Sequence, residues 1–70
     1  MSPKQRRIRN RIRELRTARG ISQGAFADEV GATRQTINAI EQEKYAPSLE
    51  LAFRIAEAFG VAFEEVWELD

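Results

Sequence analysis

Two apolar-periodic segments, at about residues 22–30 and 34–41, are separated only by Gly31-Ala32-Thr33. So short a connection does not let two helices stack antiparallel. It suits a sharp crossing, as in a helix-turn-helix. Such a crossing needs a small residue where the helices touch, which Ala27 supplies, and a residue tolerant of positive φ in the turn, which Gly31 supplies. Counted from Gln23, the alanine comes four residues later, the glycine eight and the β-branched Ile37 fourteen. Phe26, Val30 and Ile40 complete the inner face. Each feature is common alone; together they are specific for the crossing.

The remaining signals are also helical. Ile8, Ile12 and Leu15 recur at spacings of four and three, predicting a first helix over about residues 5–19 that Gly20 ends. Ser22 is the expected N-cap of the second helix, with Ile21 and Phe26 as its hydrophobic staple and Gly31 as its left-handed stop. Thr33 caps a third helix whose inner side carries Ile37 and Ile40. After a Tyr45-Ala46-Pro47 loop, Ser48 caps a fourth helix ending at Gly60, and a last short helix runs from about Phe63 to Leu69. No stretch alternates with period two, so no strand of consequence is expected. The expected fold class is all-α with five helices. Residues 1–9 read as a basic N-terminal extension and 10–70 as the helix-turn-helix domain.

Seventy residues allow one domain and one small core, near the limit of unassisted folding. Metals, disulfides or a partner subunit are the usual supports at this size. The chain has no cysteine and no histidine, which excludes disulfides and iron–sulfur clusters and removes the usual ligands of a structural zinc. It also removes any Ser-His or Cys-His nucleophile pair, and there is no glycine-rich phosphate loop. No enzyme, cofactor or metal is expected. No run approaches the roughly 20 apolar residues that span a bilayer, and Met-Ser-Pro-Lys-Gln-Arg-Arg has no apolar run behind it, unlike a secretory signal. The chain therefore reads as soluble and cytoplasmic, and self-association is the support left.

Eleven basic residues balance eleven acidic ones, but the charges are segregated. Residues 1–20 hold eight basic side chains against Glu14, a net charge of +7; residues 21–44 carry −2 and residues 45–70 carry −5. The two ends are thus suited to different partners. The third helix is informative in finer detail. At about 100° per residue, Arg34, Asn38, Gln42 and Gln35 fall at roughly 0°, 40°, 80° and 100°, opposite Ile40 and Ile37 at roughly 240° and 300°. An arginine fork matches guanine O6 and N7, and Gln or Asn pairs bidentately with adenine. Ala39 sits at the edge of the arc, where a methyl suits a thymine methyl. The arc contains no acidic residue.

From Arg11 to Leu69, some five-sixths of its length, the chain resembles the Cro/C1-type helix-turn-helix, or XRE, family of bacterial and phage regulators. The resemblance is carried by Arg11-Ile12-Arg13-Glu14-Leu15-Arg16, Ser22-Gln23, Ala27, Gly31, Thr33-Arg34-Gln35-Thr36-Ile37 and Ile40-Glu41. Lys44-Tyr45-Ala46-Pro47-Ser48-Leu49, Ile55-Ala56 and Phe59-Gly60-Val61 continue it. It implies a compact five-helix, lambda-repressor-like DNA-binding domain with the helix-turn-helix formed by helices 2 and 3. It also implies binding to double-stranded DNA, usually as a homodimer on a two-fold operator. Matched position by position, Arg34, Gln35 and Asn38, with Ala39 alongside, correspond to base-reading positions. Gln23, Thr33, Gln42 and Lys44 correspond to positions that hold the DNA backbone. Arg16 and Glu41 look like the family's internal ion pair, which would take Arg16 out of the charge facing DNA. One departure is Glu43, where the family often has glycine after the recognition helix; a positive φ there would strain it and its charge would oppose phosphate.

Two features admit two readings each. Lys4, Arg6, Arg7 and Arg9 either extend the first helix as a solvated face or form an arm that reaches DNA. The fourth helix is apolar nearly all round, with Glu50, Arg54 and Glu57 as its one polar stripe. It is either the central core helix or part of a homodimer seam with Leu51, Phe53, Ile55, Val66, Trp67 and Leu69. The leading function is a sequence-specific DNA-binding regulator with no small-molecule effector indicated. The alternative is a helical protein-interaction module on the same fold.

Overall fold

Ser22, Thr33 and Ser48 each take an extended backbone conformation and accept a hydrogen bond from an amide three residues ahead, at 3.0, 3.1 and 3.2 Å. Each oxygen satisfies a donor that a helix leaves orphaned at its start, and so fixes where that helix begins. A computed structural model of the protein describes residues 7–70. Its element order is β1 (Ile8–Asn10), α1 (Ile12–Arg19), α2 (Gln23–Val30), α3 (Arg34–Glu41), α4 (Leu49–Phe59), α5 (Phe63–Val66) and β2 (Trp67–Leu69). The architecture is a five-helix domain with a small two-stranded sheet joining its ends.

That sheet departs from the expected absence of strands. β1 and β2 pair antiparallel, with Ile8 opposite Leu69, Arg9 opposite Glu68 and Asn10 opposite Trp67. The Asp70 amide donates to the Arg7 carbonyl at 2.9 Å and prolongs the ladder. Three residues per strand are too few for alternation to register as a pattern. The sheet also moves two helix boundaries. The first helix, expected over 5–19, begins at Ile12, whose amide donates to Asn10 Oδ1 at 3.1 Å. The last helix, expected to reach Leu69, stops at Val66 because Trp67 turns to extended backbone at φ −112°, ψ 139°.

The core gathers Ile12, Phe26, Ala27, Val30, Ile37, Ile40, Leu51, Ala52, Ile55, Ala56, Val66 and Trp67, so every helix contributes. Phe26 stacks on Phe59 with ring centroids 4.5 Å apart. The Trp67 indole donates to the Ala52 carbonyl at 3.1 Å, which gives its one polar atom a partner inside the core. Ala27 is 1 % exposed at the α2–α3 crossing. Gly31 ends α2 at φ 74°, and a side chain there would also meet the Arg54 guanidinium at 3.1 Å. The positive φ is what reserves the turn for glycine, since the exposed Arg54 side chain can move aside.

Asn10 joins the sheet to the helix-turn-helix. Its Oδ1 caps α1, while its Nδ2 donates to the Ile40 carbonyl near the end of α3 at 2.8 Å. Asn10→Ala leaves the Ile12 amide without its partner and removes the tie to the Ile40 carbonyl, which keeps only the Glu43 amide at 2.9 Å, and the expected cost is about 1–3 kcal/mol. In urea denaturation the midpoint should fall accordingly; a midpoint unchanged from the parent would show that the link does not hold α3.

Candidate nucleic-acid interface

The polar arc of α3 stands on the surface. Arg34, Gln35, Asn38 and Gln42 are exposed, Ala39 is half-buried beside them, and Ile37 and Ile40 point into the core. Thr33 is exposed, but its hydroxyl is engaged in the helix cap and donates to Thr36 Oγ1 at 2.9 Å. α3 has no acidic residue in its first turn, so its N-terminus and Arg34 present uncompensated positive potential.

Behind the arc, a side-chain network ties three helices together. Arg16 of α1 grips Glu41 of α3 with two parallel bonds, Nε to Oε2 at 2.9 Å and Nη2 to Oε1 at 3.2 Å. Its Nη1 donates to the Ile21 carbonyl at 3.0 Å. The two side chains are 13 % and 5 % exposed, so the pair is largely shielded from water. Gln23, first residue of α2, donates through Nε2 to Glu41 Oε1 and to Asn38 Oδ1, both at 3.1 Å. Gln42 Nε2 adds a 3.3 Å contact to the same Asn38 oxygen. Because a carboxylate only accepts, Gln23 must turn its amide nitrogen to Glu41, and Asn38 must turn its oxygen to Gln23. Asn38 Nδ2 is then left to face outward as a donor.

The arc is one wall of a cleft of about 590 Å³ lined by Arg13, Arg16, Ser22, Gln23, Gly24, Arg34, Asn38, Glu41 and Gln42. It opens onto the N-terminus of α2, whose unpaired amides and dipole favour an anion. Gly24, a poor helix former whose lack of a side chain suits close approach to a DNA backbone, lies in this cleft, and Arg13 is an addition to the site residues expected from the sequence. Arg13 is exposed and has no ion-pair partner among the described residues. Nothing in the spacing of one arginine among seven in the first twenty residues marks it out; only the position of α1 beside α2 does.

The other candidate residues are scattered more widely. Lys44 is exposed, and its amide donates to the Ala39 carbonyl at 2.9 Å. Lys4 and Arg6 lie outside the described residues. Arg7 and Arg9 flank Glu43, with Arg7 Nη2 3.6 Å and Arg9 Nε 3.9 Å from its carboxylate. Glu43 does take a positive φ, 61°. Of the six residues considered for a dimer seam, Ile55 and Val66 are 0 % and 1 % exposed, and Leu51 and Trp67 are also buried. Their side chains are covered within the single chain, because α5 and β2 fold back over α4. Phe53 and Leu69 are more than half exposed, as is Leu49, with Ile8 close behind.

The profile of the helix-turn-helix family matches residues 12–66, from the start of α1 to the end of α5. The chain belongs to the Cro/C1-type helix-turn-helix family. It is 44 % identical over 63 residues to the HTH-type transcriptional regulator YgzD of Bacillus subtilis (strain 168), covering 90 % of this chain and 96 % of that one. It is 48 % identical over 64 residues to an HTH-type transcriptional regulator of Methanothermobacter thermautotrophicus, covering 90 % and 93 %. Among solved structures, the restriction-modification controller protein C.AhdI from Aeromonas hydrophila superposes with a TM-score of 0.74 at 34 % identity, over 79 % of this chain and 83 % of that one. As a Cro/C1-type protein, the chain is a DNA-binding transcriptional regulator, and its relatives are regulators rather than enzymes. Among the described residues, no acidic cluster could hold a metal ion, and no helix is long and apolar enough to cross a membrane.

The Arg16–Glu41 pair gives a stability test. Arg16→Met leaves Glu41 shielded from water without its guanidinium, and the expected cost is about 3 kcal/mol in urea denaturation. Replacing both residues by apolar ones should recover part of that loss. A double variant less stable than Arg16→Met would contradict this account.

Proposed function

We propose that this regulator acts as a homodimer that reads a two-fold operator through the major groove. The observation that carries the reading is the exposed Arg34–Gln35–Asn38 arc, held from behind by Gln23 and the Arg16–Glu41 pair. Arg34, Gln35 and Asn38, with the Ala39 methyl alongside, contact base edges. With its oxygen engaged by Gln23, Asn38 offers its amide hydrogens, which suits a purine N7 acceptor. Lys44 and the remaining amide hydrogen of Gln42 hold the backbone through their side chains, Gln23 and Thr33 through their main-chain amides, and Arg13 with the α2 amides takes a phosphate in the cleft. Bound to chromosomal or phage DNA, the protein works in the cytoplasm.

The dimer reading rests on an apolar groove of about 320 Å³, lined chiefly by Ile8, Ala46, Pro47, Leu49, Ala52, Phe63, Trp67 and Leu69. Phe53 adjoins it through its ring contact with Phe63, at 4.8 Å between centroids. Ile8, Leu49, Phe53 and Leu69 are a large exposed apolar group for a chain of 70 residues. A second copy that covered them would supply apolar burial that so small a core lacks. The seam is accordingly drawn through Leu49, Phe53, Leu69 and Ile8. In such a dimer the two recognition helices stand about 34 Å apart and meet successive major grooves.

Arg34→Ala should weaken operator binding by about 1–3 kcal/mol and relax base preference at one position of each half-site. Equal losses on operator and on random duplex would remove Arg34 from base reading. Leu49→Asp and Phe53→Asp place a charge on the seam without touching the core, so each should yield a folded monomer in sedimentation equilibrium. A dimer that persists in both variants would rule this surface out.

A further inference from the structure

Glu43 is the one non-glycine residue with positive φ among the described residues, at 61°. A glycine would adopt that turn freely, whereas a glutamate is strained in it. The carboxylate is placed where that strain has a use. It lies between the guanidinium groups of Arg7 and Arg9, at 3.6 and 3.9 Å, and its side chain is 22 % exposed against 68 % and 57 % for the arginines. Both separations exceed hydrogen-bond length, so the attraction is Coulombic and the arginine N–H groups keep their donor capacity. Exposed pairs of this kind are weak and exchange readily. Glu43 follows Gln42 directly at the end of α3 and precedes Lys44, so the two arginines are held at the rim of the recognition helix. Glu68, opposite Arg9 in the sheet, and Asp70, whose amide bonds the Arg7 carbonyl, are further carboxylates aligned with this strand.

We propose that Glu43 is an internal competitor of the DNA backbone: its carboxylate occupies Arg7 and Arg9 in the free protein, and DNA phosphate must displace it to engage them. The proposal rests on the DNA-binding reading above and adds a specificity determinant to it. A phosphate accepts two parallel bonds from an arginine and wins the exchange at low salt. The competition nevertheless lowers affinity for every duplex, because both partners of the exchange are sequence-independent. Binding then depends more heavily on the base contacts of α3. The near-neutral net charge of the chain and the strained glutamate serve the same end, which is weak attachment to DNA that is not the operator.

The test is titration of a mixed-sequence duplex of about three helical turns with wild type, Glu43→Gln, Arg7→Gln/Arg9→Gln and the triple variant. Salt is varied from about 50 to about 500 mM. Glu43→Gln keeps the side-chain shape and removes the charge; Glu43→Gly relieves the turn as well. Both should bind more tightly than wild type at low salt. For each phosphate gained, that advantage should shrink roughly eightfold across the salt range, following a slope of about 0.9 per phosphate. In the Arg7→Gln/Arg9→Gln background the gain should vanish. Equal affinity of wild type and both Glu43 variants would overturn the proposal, as would a gain that persists without the two arginines. Failure of wild type itself to bind any duplex at about 50 mM salt would instead overturn the DNA-binding reading.

Discussion

The two parallel bonds between Arg16 and Glu41 are the contact on which the placement of the recognition helix depends. They join α1 to α3 across 25 residues of sequence, and through Gln23 they reach the first turn of α2. A shielded ion pair of this kind adds little net stability, since desolvation offsets most of the Coulomb attraction. Its value here is geometric. The planar guanidinium accepts only one orientation of the carboxylate, and that orientation sets the Gln23 amide, which in turn sets Asn38. An exposed residue on a polar arc is thereby held by a chain of contacts that begins beneath the surface. The other support of α3 comes from the opposite side, where Asn10 holds the Ile40 carbonyl.

How much of this was legible in the sequence follows from the range of each interaction. The caps at Ser22, Thr33 and Ser48 and the stop at Gly31 are local chemistry, and they appear where their residue types announce them. The α2–α3 crossing was legible because a three-residue loop leaves few alternatives. The β1–β2 sheet was not: it pairs residue 8 with residue 69 through strands of three residues each, and neither strand carries a period. The same long-range pairing cut short the first and last helices as they were expected. Helix α4 was legible as apolar on nearly all sides, but its sequence does not say which side α5 and β2 cover. Ile55 and Val66 therefore lie inside the chain, while Leu49, outside the six residues considered for a seam, stands exposed. The place of Arg13 in the cleft is of the same kind, visible only once α1 is set beside α2.

The charge distribution gains meaning from the same geometry. Part of the basic excess in the first twenty residues is committed internally: Arg16 to Glu41, and Arg19 to Glu29 at 3.5 Å. Arg7 and Arg9 are balanced by Glu43. Arg11, Arg13, Arg34 and Lys44 have no ion-pair partner among the described residues, and Arg13 and Arg34 line the cleft beside the recognition arc. A protein so arranged sets two free arginines beside the proposed reading face and neutralises much of its other positive charge internally. In the proposed dimer, discrimination between sequences rests on base contacts and half-site spacing more than on bulk attraction.

The central claim, that two recognition arcs read a two-fold site, is tested most directly by selecting bound sites from a pool of random duplexes. The account predicts an enriched, inverted-repeat sequence whose half-sites are centred about one helical turn apart, with purines at the positions facing Arg34 and Asn38. Enrichment of a single half-site without symmetry would contradict the dimer, and the absence of any enriched sequence would contradict base reading by α3.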